Sequence, residues 1–254
     1  ALRLPARYKV RKAAGFAVLI RFLKVTFIDS FTGNGYWQLI GYIDWQTLLI
    51  IIAIITMTFG NFAALWQDNL KRMLAYSSIA HAGYLMLGVS VLSDQGLIAV
   101  LVYFFIYMFM NLGAFYVVML IANKINSEEI DDYTGIGYSL PFLGTVLGLF
   151  LVSLTGLPPT AGFIGKLYLF IALVDANMIT VAIIALLNTV VSLYYYIRVL
   201  RVMFLIKSDK TVSINLSPLS FVVLMFMAIP TLVLGIYFSP LVSFAKESVQ
   251  LLGF

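Results

Sequence analysis

Residues 154–170 read LTGLPPTAGFIGKLYLF, a run with two prolines, three glycines and a lysine inside a long apolar region. Pro158 and Pro159 lack the amide hydrogens that a helical ladder needs, and the second proline disfavours the α conformation at the first. We therefore expect one helix to end near Leu157 and another to begin near Thr160. Three residues form this predicted helix break: Gly156, Pro158 and Pro159.

Lys166 follows the break by about two helical turns, roughly 10 Å along the second helix. That is deep for a charge in a bilayer core of about 30 Å. One interpretation is a lysine that snorkels to an interface along its own stem. The other is a buried amine that loads and releases a proton, because desolvation disfavours its charged form. A broken helix with an ionisable group near the midplane is typical of an ion pathway and favours the second interpretation.

The composition indicates a membrane protein with several spans. Of 254 residues, 62% are hydrophobic and 11% charged, whereas a soluble domain has roughly 25% charged residues. The long apolar runs favour helices over a barrel. The absence of cysteine excludes disulfides and cysteine-ligated metal clusters, and a single histidine argues against a metal site. The net charge of +5 comes from cations at the ends of spans, which argues against nucleic-acid binding.

The apolar pattern predicts an all-α fold, with a basic surface segment at 1–11, of native or non-native origin, followed by a single transmembrane domain at 12–254. Seven stretches are predicted to cross the membrane: Lys12–Ile28, Thr47–Trp66, Met73–Leu92, Leu97–Ala122, Pro141–Val174, Met178–Phe204 and Pro218–Phe238. The acidic stretch Asn123–Tyr138 is predicted to be a solvated loop.

The cations decide whether the broken stretch at 141–174 crosses once or twice. With one crossing, most of the basic residues share one side: residues 1–11, Lys71, Arg72, Lys124 and the cluster Arg198–Lys210. With two crossings that cluster moves to the other side and the bias nearly vanishes. The positive-inside rule therefore predicts one crossing, a cytoplasmic N-terminus and a C-terminus outside.

His81 lies ten residues after Lys71, near the middle of its predicted helix, where Ser77 and Tyr84 share its face. One interpretation is a packed histidine satisfied by Ser77 or a backbone carbonyl. The other is a proton relay, because imidazole both donates and accepts a proton near neutral pH.

The remaining polar residues have simpler interpretations. Lys71 and Lys12 are either positive-inside anchors or groups of a proton pathway. Tyr194–Tyr196 predict an aromatic belt at the membrane interface. Three asparagines predict hydrogen bonds between helices: Asn61, Asn111 and Asn188.

Several motifs resemble signatures of one family. Residues 67–84, QDNLKRMLAYSSIAHAGY, and 156–166, GLPPTAGFIGK, resemble those of the antiporter-like membrane subunits of respiratory complex I. Residues 12–21, KAAGFAVLIR, and 193–199, LYYYIRV, are most similar to the subunit N type of bacterial NADH:quinone oxidoreductase. The resemblance covers residues 12–254.

The family has fourteen membrane helices, and the resemblance implies a fragment that holds the last seven, one of them discontinuous at Pro158–Pro159. It implies that Lys166 is a terminal proton-loading site, Lys12 a residue of the central axis, and His81 the polar group between them. Lys71 completes the predicted proton pathway. Two features depart from the family pattern: four basic residues closely precede Lys12, and no acid lies within a span to pair with Lys166.

The expected function is proton translocation as part of the bacterial plasma-membrane NADH:quinone oxidoreductase, driven by quinone reduction elsewhere. The expected partners are other membrane subunits of the complex, the lipid bilayer, protons and water. No catalytic residue, cofactor, metal or nucleic acid is expected. Two alternatives remain: a subunit of a related antiporter that exchanges Na⁺ for H⁺, and a structural membrane scaffold.

Overall fold

The computed structural model describes these residues: 15, 18–20, 28–31, 37–39, 44–206 and 212–252. Residues 1–11, Lys12 and most of the first predicted span lie outside them. Nine α-helices are formed within the described residues: α1 (Trp45–Leu65), α2 (Leu70–Ser90), α3 (Asp94–Ile125), α4 (Ile136–Ser139), α5 (Pro141–Thr155), α6 (Ala161–Asp175), α7 (Ile179–Leu205), α8 (Pro218–Ile236) and α9 (Ser239–Leu252). The helical class is confirmed, with one small addition. Strands β1 (Ile28–Phe31) and β2 (Trp37–Leu39) pair antiparallel in what was predicted to be a loop.

Among the described residues, four helices are long and apolar enough to cross a membrane: α1, α3, α7 and α8. Each coincides with a predicted span. Helix α2 has 21 residues but is less apolar, because it carries serines, glycines and His81. Helix α5 is apolar but short. These lengths and compositions are those of an integral membrane protein.

Helix α3 is the centre of the packing. It contacts α2 on one side and α5, α6, α8 and α9 around the rest of its circumference. Helix α7 packs against α1 and reaches α5 and α6. The side chains that will form the candidate site therefore project from α2, α3, α6 and α7 into one shared interior.

The most extensive helix contact is that of α1 with α2. A Cβ added to Gly83 would lie 2.6 Å from the Met57 backbone nitrogen and 2.8 Å from the Ala53 carbonyl oxygen. Gly60 of α1 lies equally close to the backbone of Ala80. Small residues let two membrane helices approach backbone to backbone, so this pair fixes the position of α2.

The predicted helix break lies between α5 and α6. Helix α5 ends at Thr155, two residues before the predicted end, because Gly156 is left-handed (φ 90°). The amides of Gly156 and Leu157 both donate back to the Val152 carbonyl, at 3.1 and 3.3 Å, which closes the last turn. Helix α6 then begins at Ala161. The glycine thus ends the helix before the prolines are reached.

The residues of the break are covered on one side. Gly235 of α8 lies directly against the backbone of Pro159 and Thr160. Leu157, Pro158 and Pro159 are exposed on the other side. The peptide bond between the two prolines is cis.

One end of the bundle, here called the Lys71 end, joins the start of α2, the loop after α3 and the end of α7. The Glu128 carboxylate accepts hydrogen bonds from Lys71 Nζ at 2.8 Å and Asn69 Nδ2 at 3.1 Å. Asp68 pairs with Arg198 of α7 at 2.5 Å. The hydrogen bond from the Lys71 ammonium holds the pKa of Glu128 below its usual range.

The loop after α3 is less solvated than its acidic sequence predicted. A 3₁₀ turn at Ile130–Tyr133 and helix α4 bury three of its apolar side chains: Ile130, Tyr133 and Ile136. These residues recur every third position, but the pattern is short and acids lie between its first members, so the sequence indicated only a loop.

The opposite end is called the Asp94 end. Trp37 Nε1 donates to Asp94 Oδ1 at 3.1 Å, and Gln95 Nε2 donates to Asp175 Oδ2 at 2.6 Å. The start of α3 and the end of α6 therefore lie together at this end.

The chain after α8, predicted to be a short tail, forms the amphipathic helix α9. Its buried face packs on α3 and comprises Leu241, Val242, Ala245 and Val249. Lys246 and Glu247 are exposed on the other face. The apolar residues of α9 recur at helical spacing. The helix is short and its apolar residues alternate with polar ones, so the sequence analysis did not identify it.

We predict that Gly83→Ala destabilises the protein by about 1–3 kcal/mol, because the methyl group meets the α1 backbone, which cannot move aside cheaply. Thermal unfolding in detergent measures the change. Gly148→Ala is the matched control, since a Cβ there finds its nearest neighbour, Leu200 Cδ2, at an ordinary 3.5 Å. Equal unfolding temperatures for the two variants would contradict the close-packing interpretation.

We predict that Lys71→Gln returns the pKa of Glu128 toward 4.5, its value without a partner. Because the folded pKa is lowered, the contribution of Glu128 is present above pH 4.5 and is lost as pH falls through the folded pKa. In Lys71→Gln that loss moves to higher pH. Both side chains are partly exposed, so the effect stays below about 1 kcal/mol.

Hydrogen exchange of residues 127–133 across pH 3–6, corrected for intrinsic rates, measures the shift. Lys246→Gln is the control, since it removes an exposed lysine on α9. An unshifted Lys71→Gln profile would show that the ion pair does not anchor the loop.

Candidate functional site

Lys166 is buried within the protein, 3% exposed, on the inner face of α6. Its Nζ donates to the Thr155 carbonyl at 2.7 Å and lies 5.1 Å from the centroid of the Tyr84 ring. Tyr84 thus offers a ring face, which attracts a cation. These contacts point inward along the break, not outward as a snorkelling lysine would.

The two prolines explain why the Thr155 carbonyl is available. In a continuous helix it would accept from the amide of residue 159, but that residue is Pro159, which has no amide hydrogen. The last carbonyls of α5 also carry the negative end of its dipole. The break therefore presents a free, electronegative acceptor to the lysine.

Gly156 gives the lysine its space. A Cβ at this position would lie 2.7 Å from Lys166 Cδ. The backbone of residue 156 is also left-handed, a conformation that favours glycine. Both the lack of space for a Cβ and the backbone conformation therefore favour glycine at this position. The residues of the predicted helix break thus form one wall of the Lys166 site.

His81 is also buried, 2% exposed, and lies among tyrosines. Its Nδ1 is 2.6 Å from the Tyr103 hydroxyl and its Nε2 is 3.5 Å from the Tyr196 hydroxyl. The Tyr107 ring is 4.9 Å away, centroid to centroid. A neutral imidazole has one donor and one acceptor nitrogen, so the ring can pass a proton between two phenols.

The predicted partner of a packed His81 was Ser77 or a backbone carbonyl, whereas its ring nitrogens face two tyrosine hydroxyls and Ser77 donates to the Leu74 carbonyl. Ser77 Oγ and Ser78 Oγ both donate to the Leu74 carbonyl, at 2.8 and 2.9 Å. A serine within a helix can donate to the backbone carbonyl of the preceding turn. His81 instead forms its hydrogen bond with the hydroxyl of Tyr103, on α3.

Tyr84 connects the two predicted residues. Its ring faces Lys166 and lies 6.1 Å from the His81 ring. Its hydroxyl is 2.9 Å from Thr189 Oγ1 and donates to the Ala185 carbonyl at 3.1 Å, both on α7. Lys166 and His81 therefore both lie beside one aromatic side chain.

A second buried cluster links α1 to α7. Asn61 Nδ2 donates to Asn188 Oδ1 at 3.1 Å, and Tyr195 donates to Asn61 Oδ1 at 3.0 Å. The predicted hydrogen bonds of Asn61 and Asn188 between helices are thereby confirmed. Asn111 also bonds across helices, to Ser78 Oγ at 3.1 Å.

The tyrosines were the main omission of the sequence analysis. Tyr195 and Tyr196 were assigned to an interfacial belt, which is wrong, because both are buried and only Tyr194 is exposed. On a helix three consecutive residues face different directions. Tyr103 and Tyr107 were not singled out, although with Asn111 they recur every four residues on one face of α3.

The structure does not bring Lys71 to this site. Its side chain is 60% exposed in the ion pair with Glu128 at the Lys71 end. Lys12 lies outside the described residues. The described chain contains no cluster of residues suited to hold a metal ion, and its two ion pairs do not include Lys166. Its interior holds an amine, an imidazole and phenols, which can bind and release protons, together with amides and hydroxyls, which form hydrogen bonds.

The sequence matches a family described as NADH:quinone oxidoreductase/Mrp antiporter, TM, over residues 13–192. It is 48% identical over 246 residues to NADH-quinone oxidoreductase subunit N 2 of Chloroherpeton thalassium, covering 95% of this chain and 47% of that protein. A subunit N of Chlorobium chlorochromatii is 47% identical over 248 residues, covering 95% and 48%. The chain spans about half the length of the curated relatives it matches.

Solved structures have the same fold. A chain of respiratory complex I from Thermus thermophilus with bound aureothin aligns with a TM-score of 0.67 at 30% identity, over 78% of this chain and 45% of that one. A chain of the Mrp complex from Dietzia sp. aligns with a TM-score of 0.74 at 20% identity, over 81% and 47%, a likeness of fold alone. The chain therefore belongs to the NADH:quinone oxidoreductase/Mrp antiporter transmembrane family.

Proposed function

We propose that this chain is the C-terminal part of a subunit N and carries protons across the bacterial plasma membrane as part of NADH:quinone oxidoreductase. The observation that carries the proposal is the buried Lys166 amine on the Thr155 carbonyl, with Tyr84 between it and the His81 cluster. This cluster is formed by His81 and the tyrosines around it, Tyr103, Tyr107 and Tyr196. Relatives named NADH-quinone oxidoreductase subunit N support it.

In the proposed mechanism Lys166 is the loading group. As an ammonium it is stabilised by the Thr155 carbonyl and the Tyr84 ring, and as a neutral amine it fits its buried surroundings. His81 delivers or accepts the proton, because both of its ring nitrogens face phenols. Lys12, which lies outside the described residues, keeps the role that the resemblance implies, a further group of the central axis.

The switch between the two forms of Lys166 comes from outside the described chain. A lysine changes its proton affinity when charges approach or withdraw, and the two ion pairs of the described residues lie at the Lys71 end. The proposed partners are the other membrane subunits of the complex, and the exposed Leu157, Pro158 and Pro159 offer them a surface beside the lysine. Lys71 lies at the exposed end of the proposed path, in its ion pair with Glu128.

We further propose seven crossings, with α5 and α6 together forming one. Each has 15 residues and is about 22 Å long, too short for a core of about 30 Å. Helix α5 follows the loop at the Lys71 end, whereas α6 ends at Asp175 in the Asp94 end. Lys71, Arg198 and the loop after Lys124 share one end, which supports a cytoplasmic Lys71 end and a C-terminus outside.

Labelling tests this orientation. The chain has no cysteine, so Ser213→Cys, between α7 and α8, introduces a unique thiol. We expect an impermeant thiol reagent to modify it in inside-out vesicles and not in intact cells. Lys246→Cys, on α9 beyond α8, is the matched position with the reverse expectation. Modification of Ser213→Cys in intact cells would overturn the single crossing.

The role of Lys166 is tested in the complete enzyme with Lys166→Gln, which keeps size and removes the titratable amine. We expect the rate of proton pumping to fall at least tenfold, a typical minimum for losing a proton-transfer group. His81→Phe keeps a ring and removes both nitrogens, and a similar loss is expected.

Vesicles that contain the assembled complex provide both readouts, proton uptake and NADH oxidation. Lys124→Gln is the control, because Lys124 is an exposed lysine at the end of α3. Normal pumping by Lys166→Gln in an assembled complex would exclude the assigned role.

A further inference from the structure

We propose that Asn111 Oδ1 binds a water molecule that extends the proton path from the His81 cluster toward the Lys71 end. The inference rests on the proposed function and assigns the ligand of one more buried group. Asn111 lies on α3, 1% exposed. Among the described residues, its Oδ1 is the buried side-chain atom that has no hydrogen-bond partner.

The neighbouring bonds favour one orientation of the amide. Ser78 Oγ donates its proton to the Leu74 carbonyl at 2.9 Å, so it can only accept from Asn111. The atom of Asn111 that faces Ser78 is therefore Nδ2, which also donates to the Tyr107 hydroxyl at 2.5 Å. In a flipped amide Oδ1 would accept from the Tyr107 hydroxyl and Nδ2 would become the atom without a partner, so one end of this buried amide is unpaired in either orientation.

The orphaned oxygen requires a donor. A buried acceptor left unpaired costs about 1–3 kcal/mol, and buried polar groups without a protein partner are commonly satisfied by an internal water. Such a water donates one hydrogen to Asn111 Oδ1 and keeps its other hydrogen and its lone pairs for the next member of a chain. An internal water is also the smallest carrier that passes a proton along hydrogen bonds.

The position of Asn111 gives this site a direction. On α3, Tyr103 touches His81, Tyr107 follows one turn later, and Asn111 one turn after that. On α2, which runs antiparallel, Ser78 precedes His81 by one turn. Asn111 thus lies on the side of His81 that faces the Lys71 end, opposite to the Asp94 end.

The site is distinct from the other buried asparagines. Asn61 and Asn188 bond to each other and to Tyr195 and Thr58, so both amides use their oxygen within the α1–α7 contact. They provide a matched control for a buried amide that holds helices together.

The experiment uses the complete complex. A high-resolution structure is expected to show water at hydrogen-bond distance from Asn111 Oδ1, and Asn111→Leu is expected to lose it. Asn111→Leu should slow proton pumping about tenfold, the cost of one buried hydrogen bond in a path, and change its solvent deuterium isotope effect. Asn111→Asp, which keeps an oxygen at the position, should retain the water and more activity than Asn111→Leu. Asn188→Leu should lower thermal stability and leave the isotope effect unchanged.

Each outcome tests a different part of the proposal. Density without water at Asn111 in the parent complex overturns the site even if Asn111→Leu fails to assemble. Water at Asn111 with normal pumping and an unchanged isotope effect in Asn111→Leu overturns its part in the proton path. Normal pumping in Lys166→Gln would contradict the proposed role of Lys166 as the loading group. The Asn111 proposal would then still be tested separately, by the density at Asn111 and by the isotope effect.

Discussion

The hydrogen bond from the Lys166 ammonium to the Thr155 carbonyl is the interaction on which the interior depends. A lone charge is costly to bury in a membrane protein, and here it meets the carbonyl end of a half-helix. Pro159 leaves that carbonyl without its helical donor, and Gly156 leaves room for the lysine stem. Sequence, backbone and charge are thus coupled at one point, because Pro159 frees the acceptor, Gly156 provides the space and Lys166 uses both.

The described interior holds a cation and neutral hydrogen-bonding groups, with its carboxylates at the two ends of the bundle. Asp68 and Glu128 lie at the Lys71 end, and Asp94 and Asp175 at the other. A path built of phenols, imidazole and amides conducts protons without holding a fixed negative charge. In the proposed function, any preferred direction of proton movement is imposed by charges that approach from neighbouring chains.

Much of the fold could be predicted from the sequence, because it follows from the apolar composition and from helix-breaking prolines. The apolar lengths predicted the four long helices, and two prolines predicted the break to within two residues. Only some residues of the site could be predicted from the sequence. Lys166 and His81 stood out as polar groups in apolar runs, whereas Tyr103 and Tyr196, which contact His81, look like ordinary apolar filling in a sequence. Which of three adjacent tyrosines faces inward depends on how α7 is rotated, and packing sets that rotation.

The ion pairs at the Lys71 end have a consequence for the working medium of the protein. They join the start of α2, the loop after α3 and the end of α7 through groups that are partly exposed. Exposed pairs are screened by dissolved ions, whereas buried hydrogen bonds are not. Rising ionic strength therefore loosens this aqueous rim selectively, and the spacing of the helices at the membrane surface becomes sensitive to salt while the tyrosine-lined interior stays as it is.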